Sequence, residues 1–96
     1  MGIKEILEPK RSEVLAAIQN NHAAHPRVFG SVARGAAGRG SDVDILVDFE
    51  RGASAFDQVG LIDDLENLLG RRVEVTTVDG LHWLVRPQVL LEAVPL

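Results

Sequence analysis

The chain has 96 residues, no cysteine and a formal net charge of −4 at pH 7. This length favours one domain over residues 1–96, and the lack of cysteine excludes both disulfides and a thiolate zinc site. The negative charge argues against a protein that binds a long nucleic acid, because such proteins neutralise phosphates with clustered Lys and Arg. No apolar run approaches the about 20 residues that cross a bilayer, and the N-terminus lacks the layout of a signal peptide. We therefore expect a cytoplasmic protein without membrane contact.

Apolar periodicity and breaker residues predict alternating helices and strands. Pro9 suits a first helical turn, Ser54 a helix N-cap and Gly70 a helix C-terminus. The predicted elements are, in chain order, a helix 9–20, a strand 27–29, a short helix 31–37, a strand 43–49, a helix 54–70, a strand 73–78 and a helical segment 81–91 that is interrupted or restarted at Pro87. The apolar stripe of the helix 54–70 is expected at Phe56, Val59, Ile62, Leu65 and Leu69. This order favours an α/β (α+β) fold, a small mixed sheet of three or more strands with helices packed on it.

Asp42 and Asp44 are the first candidate site residues. Alternate side chains of a strand project to the same face, so the two Cα atoms lie roughly 6–7 Å apart and the carboxylates converge. Two like charges at this distance need a cation or a shared proton, and hard oxygen ligands suit Mg²⁺. Two solvated aspartates at a strand edge are the simpler alternative. A calcium loop does not fit, because Leu46 and Val47 replace the next ligand and the glycine of that motif.

Gly30 and Ser31, at the end of the strand 27–29, are the second candidate site. A glycine there lets the backbone approach a ligand, and Ser31 with neighbouring N–H groups would bind an anion. Arg34 would add a positive charge for phosphates. A plain turn is the alternative for Gly-Ser alone. The stretch is not a Walker A loop, which needs Gly-Lys-Ser or Gly-Lys-Thr after the glycines.

The two halves together are far more specific than either one, because residues 32–41 separate a phosphate-binding turn from two acids on the next strand. The segments 29–35 (FGSVARG) and 41–47 (SDVDILV) resemble the DNA polymerase β-like nucleotidyltransferase superfamily. More narrowly, the chain is similar to the small MNT proteins, the antitoxin partners of HEPN-domain toxins. The resemblance runs from the first predicted helix to Glu92, Ala93 and Val94.

The resemblance implies the nucleotidyltransferase fold and a role for each matched position. Gly30 and Ser31 would bind the triphosphate of ATP, and Asp42 and Asp44 would hold two Mg²⁺ ions. A third carboxylate on a later strand should complete the site, and Glu74 is the well-placed candidate. The family more often has aspartate there, so a weakened site is one reading of Glu74. The other is a residue that simply faces water from an edge strand.

Three function classes follow from this resemblance. The first is an antitoxin enzyme that transfers AMP to a tyrosine of a HEPN-domain toxin. The second is an antitoxin that neutralises its toxin by binding alone, and the third is a transferase that modifies a small molecule such as an antibiotic. The apolar residues of the C-terminal segment predict a homo- or hetero-oligomer; they are Val85, Leu90, Leu91, Val94 and Leu96. His22 and His25 are expected to be surface residues rather than zinc ligands.

Overall fold

The computed structural model describes residues 1–96 and shows helices interleaved with the strands of one sheet. None of the helices combines the length and the apolar character that a membrane crossing needs. The elements are, in chain order, α1 (Ile3–Ile6), a 3-10 helix (Glu8–Lys10), α2 (Arg11–Asn20), β1 (Ala23–Phe29), α3 (Gly30–Ala33), β2 (Val43–Phe49), α4 (Ala55–Leu69), β3 (Val73–Thr76), α5 (Arg86–Glu92) and β4 (Val94–Pro95).

The sheet is mixed and has the strand order β3-β2-β1-β4. β1 is antiparallel to both of its neighbours, whereas β2 and β3 are parallel and are joined by the crossover through α4. In the parallel register Asp44 lies opposite Glu74 and Ile45 opposite Val75, so the two acids share one face of the sheet. The predicted α/β (α+β) class with a small mixed sheet is confirmed.

One face of the sheet packs against α2 and α4 and forms the hydrophobic core. On β2 the residues of this face are Val43, Ile45 and Val47, and all three are fully buried. The helices contribute aliphatic side chains to the same cluster, namely Val14, Ala17, Ile18, Leu61 and Leu65. Each fully buried Val, Leu or Ile contributes about 1.5–3 kcal/mol. This face therefore provides the main hydrophobic contribution to folding, and its packing on α2 and α4 fixes the position of β2.

The opposite face of β2 carries the acids and is only partly covered. Leu46 lies on this face yet is fully buried, and with Val89 of α5 it is outside the main core cluster. The segment that follows β3 therefore shields part of this face. The rest stays open around Asp44 and Asp48, which are partly buried and exposed respectively.

Helix α4 begins and ends as its sequence predicts. The Ser54 N–H donates to the Asp57 carboxylate at 2.8 Å, and Gly70 closes the helix with a left-handed φ of 64°. The predicted apolar stripe is partly wrong, because Phe56 and Val59 are 88% and 64% exposed. The rest of the stripe is confirmed, since Leu65 is fully buried and Ile62 and Leu69 pack against the core, which also contains the unpredicted Leu61.

The N-terminal half departs from the prediction in two places. Pro9 lies in the 3-10 turn, so α2 begins at Arg11, and α1 was not predicted. β1 begins at Ala23 rather than at Arg27, because a register irregularity between Ala24 and Arg27 lets the strand pass Pro26. A bulge of this kind has no clear signal in the sequence.

The later elements are shorter than predicted. α3 ends at Ala33, β3 ends at Thr76, and the C-terminal helix occupies only Arg86–Glu92. Pro87 lies in the first turn of that helix, where its missing N–H has no partner to lose. The short strand β4, which pairs with β1, was not predicted.

Candidate active site

Gly30 brings the backbone directly against an acid of the next strand. It follows β1 with a φ of 72°, a conformation that L side chains rarely adopt. A Cβ atom at this position would overlap the Oδ2 atom of Asp44. Both observations require glycine, and both place the start of α3 in contact with the acidic face of β2.

Asp42 lies directly before β2, two residues from Asp44 on that strand, and Glu74 lies beside Asp44 on β3. Glu74 is exposed on an edge strand, whereas Asp44 is partly buried. Burial first, and then the charges of Glu74 and Asp42, raise the pKa of Asp44 to about 6, with Arg34 acting in the opposite direction. The pair therefore concentrates negative charge that a cation would relieve.

The three predicted acids do not already form a closed metal cage. No group of three or more His, Asp or Glu side chains is arranged to hold a metal ion. Asp44 and Glu74 are adjacent, while Asp42 makes a long pair of 3.8 Å with the Arg72 guanidinium. Arg72 is 86% exposed, so this contact is weak and does not fix the Asp42 carboxylate.

Arg34 and the Gly30 N–H share an acceptor that the sequence did not indicate. The Gly30 N–H donates to Glu92 Oε1 at 2.9 Å. Arg34 Nη1 donates to the two oxygens of the same carboxylate at 3.3 and 3.1 Å. Ser31 follows Gly30 and is partly exposed. Glu92 was missed because it is 62 residues from Gly30 along the chain, and only the packing of α5 brings it here.

The histidines lie elsewhere and contact different acids. His22 Nδ1 is 2.9 Å from Asp57, and His25 Nδ1 is 2.9 Å from Asp48. The Asp57 contact raises the pKa of His22 above its ordinary value. Both are exposed at positive φ, as surface residues at irregular positions. Their exposure confirms that both are surface residues.

The largest surface cavity is also distant from the acids. It has a volume of about 430 Å³ and lies in the helix layer between α2 and α4. Its lining includes Glu13, Asn20 and Asp64. The candidate site instead lies on the face of β2 and β3 that carries the acids, beside the start of α3, and none of its acids lines a surface cavity.

Comparison with known proteins identifies the family. The sequence profile of the nucleotidyltransferase domain matches residues 12–96. The chain belongs to this nucleotidyltransferase family. A Methanocaldococcus jannaschii relative, described as a candidate protein adenylyltransferase, is 36% identical over 98% of this chain and 97% of its own. The protein adenylyltransferase MntA of Thermococcus cleftensis is 46% identical over 70% of this chain and 68% of its own.

Solved structures agree with this nucleotidyltransferase fold. One described as a candidate minimal nucleotidyltransferase superposes with a TM-score of 0.86 at 45% identity, covering 100% of this chain and 97% of the other. A chain from a crystal structure of a toxin-antitoxin with AMP-PNP has a TM-score of 0.73 at 20% identity. That match covers 88% of this nucleotidyltransferase and 69% of the other chain, and it concerns the fold alone.

These findings confirm the resemblance, the fold class and the assignment of this nucleotidyltransferase as an enzyme. The roles of the individual residues remain predictions. They concern Gly30, Ser31 and Arg34 for the nucleotide, and Asp42, Asp44 and Glu74 for the metal.

Proposed function

We propose that this nucleotidyltransferase transfers AMP from ATP to a protein hydroxyl, a tyrosine of a HEPN-domain toxin, and thereby acts as an antitoxin. Two relatives described as protein adenylyltransferases support the transfer of AMP to protein. The fold shared with a toxin-antitoxin crystallised with AMP-PNP supports the partner and the nucleotide class. The observation that carries the proposal is the packing of Gly30 against Asp44, because it sets a phosphate-binding backbone beside a paired acid.

In this proposal the triphosphate lies along the start of α3. The Gly30 N–H and the Ser31 hydroxyl donate to its oxygens, and Arg34 neutralises part of its charge. Donors fixed by the backbone need no reorganisation when charge develops on the phosphates. Glycine is essential at position 30 because any side chain there would displace Asp44.

Asp42, Asp44 and Glu74 would hold Mg²⁺. The donor set fits, since it consists of carboxylate oxygens, and burial together with the charges of Glu74 and Asp42 raises the pKa of Asp44 to about 6. Asp42 and Glu74 are exposed enough to rotate toward a shared ion. Bound divalent ions supply charge stabilisation at the attacking and leaving oxygens of an in-line displacement.

The transfer itself exchanges one phosphorus–oxygen bond for another. The acceptor oxygen bonds to the α-phosphorus while the bond from that phosphorus to the pyrophosphate oxygen breaks. The hydroxyl proton passes to a site carboxylate, for which the exposed Glu74 is the accessible candidate. Pyrophosphate leaves along the α3 side, where Arg34 lies.

In this proposal a partner protein presents the acceptor to the acids, of which Asp42 is partly exposed and Glu74 is exposed. The segment that follows β3 exposes large apolar side chains. Trp83 is 70% exposed, Leu84 65% and Leu91 82%. Exposed apolar patches of this kind mark interaction surfaces, and we assign this one to the toxin.

Labelled ATP with the purified toxin tests the proposal directly. The double variant Asp42→Asn with Asp44→Asn should abolish transfer, because it removes both metal-ligand charges of β2. Asp48→Asn is the matched control, since Asp48 lies on the same strand but is exposed and pairs with His25 and Arg27. Full labelling in the double variant would refute the metal assignment.

A second candidate function is neutralisation by binding alone. The observation that favours it is the Glu92 carboxylate, which occupies the Gly30 N–H that a phosphate would need. Mass spectrometry of the toxin after co-expression separates the two functions. A mass gain of AMP units identifies the enzyme, and a stable unmodified complex identifies the binder.

A further inference from the structure

The Glu92 carboxylate is held by the two positive groups of the proposed phosphate site. Its oxygens accept from the Gly30 N–H at 2.9 Å and from Arg34 Nη1 at 3.1 and 3.3 Å. The Glu92 side chain is only 19% exposed, although Arg34 is 57% exposed. The contact therefore holds a largely buried carboxylate against the start of α3.

Carboxylate and phosphate oxygens are interchangeable acceptors for such donors. A backbone N–H makes one good hydrogen bond, and a guanidinium edge pairs with one anion at a time. We propose that Glu92 is an internal competitor of the nucleotide, which occupies the Gly30 N–H and Arg34 until the triphosphate displaces it. The inference rests on the proposed function of this site, and it adds a regulatory contact that sets the affinity for ATP.

The surrounding packing keeps Glu92 in place. Glu92 is the last residue of α5, which is anchored by the buried Val89. After one intervening residue, β4 pairs with β1, and the Leu96 N–H donates to the Pro26 carbonyl at 3.0 Å. The backbone on both sides is thus fixed, and displacement requires only rotation of the Glu92 side chain.

This competition weakens ATP binding, because only molecules in which Glu92 has left the Gly30 N–H and Arg34 can bind the triphosphate. The apparent Kd for ATP is the intrinsic Kd divided by the fraction of such molecules. If Glu92 occupies the donors in about nine molecules of ten, the apparent Kd for ATP is about tenfold higher than the intrinsic one. Glu92→Gln removes the charge while keeping the size, so Arg34 loses its ionic partner. We therefore expect this variant to bind ATP about tenfold more tightly than the native chain.

Calorimetric titration of the full chain with ATP and Mg²⁺ measures this effect. Glu13→Gln is the control, because Glu13 is an exposed residue of α2 and its substitution changes the net charge equally. Tripolyphosphate is the second probe, and Glu92→Gln should increase its affinity by a similar factor because the competition concerns phosphates alone. Glu92→Ala should behave as Glu92→Gln does, and thermal unfolding checks that each variant is folded.

Unchanged or weaker ATP binding by both Glu92 variants would overturn the inference and make Glu92 a positioning residue that holds Arg34. If the native chain binds and transfers AMP in that case, the proposed function stands. If neither the native chain nor the variants bind ATP or tripolyphosphate, both the inference and the proposed function fail. A gain equal to that of Glu13→Gln would reduce the effect to net charge and would also overturn the inference.

Discussion

The two faces of β2 differ in burial and in charge, although their residues alternate along one strand. Val43, Ile45 and Val47 face α2 and α4 and are fully buried in an aliphatic cluster. The opposite face carries Asp44, with Asp42 directly before the strand, and the pKa of Asp44 is raised to about 6. The first face gains stability from every side chain, whereas the second keeps a charge where the fold disfavours it. Functional sites often retain such a destabilising arrangement.

The largest expected effect comes from the buried face. Ile45→Ala removes three side-chain carbons from a fully buried position and leaves a cavity. We expect the free energy of unfolding to fall by about 3 kcal/mol. Urea denaturation measures it, and Ile45→Val should lose only about 1 kcal/mol. A loss below about 1 kcal/mol for the alanine variant would contradict the rigid packing assigned to this face.

Substitution of Gly30 tests the contact between the backbone at the start of α3 and the Asp44 carboxylate. Gly30→Ala combines the strain of a positive φ with an overlap against Asp44, so we expect a loss of about 2 kcal/mol together with loss of AMP transfer. Gly35→Ala is the matched control, because Gly35 has a φ of 73° but open space where its Cβ would lie. It should lose about 1 kcal/mol and keep its activity. Equal effects in the two variants would show that contact with Asp44 is unimportant.

Asp44→Asn should stabilise the chain at neutral pH while abolishing transfer. The native pKa of Asp44, about 6, exceeds that of the unfolded chain, so the native state binds the proton more tightly. Its contribution to stability is present below pH about 4 and is lost as the pH rises through about 6. Because the carboxylate is partly exposed, we expect the variant to gain only about 1 kcal/mol at pH 7.5 and nothing at pH 4.

Denaturation at both pH values measures this gain, with Asp48→Asn as the control. Hydrogen bonds from His25 and Arg27 outweigh burial and lower the pKa of Asp48, so its loss should not stabilise the chain. Adding Mg²⁺ should raise the melting temperature of the native chain and leave that of Asp44→Asn unchanged. A gain in Asp44→Asn that is independent of pH would contradict the raised pKa.

The smallest effect is expected at Arg72. Its guanidinium is 86% exposed and lies 3.8 Å from Asp42, so Arg72→Gln should change stability by less than about 0.5 kcal/mol. Transfer activity should persist as well, because Asp42 is free to rotate toward the metal. Loss of activity in this variant would mean that Arg72 itself belongs to the site.

The sequence predicted those parts of the fold that depend on interactions between residues close together along the chain. The bounds of β2 and the capping of α4 by Ser54 and Gly70 follow from alternation and turn chemistry, which act within a few residues. The passage of β1 through Pro26 and the strand β4 depend on pairing with distant segments, and these were missed. Exposure of Phe56 and Val59 was also missed, because periodicity does not tell which of two apolar stripes on a helix faces the core.

The candidate site shows the same division. Gly30, Ser31, Asp42 and Asp44 lie in two short segments, and the resemblance of these segments to the superfamily's motif indicated the family. Glu74 was placed beside Asp44 by the parallel register. Glu92 could not be inferred, because a single glutamate at the end of a helix carries no signal until α5 folds over α3.

The register of β3 against β2 determines two features at once, namely which side chains of β3 enter the core and which acid lies beside Asp44. Val73 and Val75 point inward because Glu74 points outward opposite Asp44. A slip by a single residue would carry Glu74 into the aliphatic interior and turn both valines to solvent. Mutations that preserve folding therefore preserve the register that sets positions 44 and 74 side by side, whatever residues occupy them. A descendant of this chain that had lost its activity would still carry that geometry.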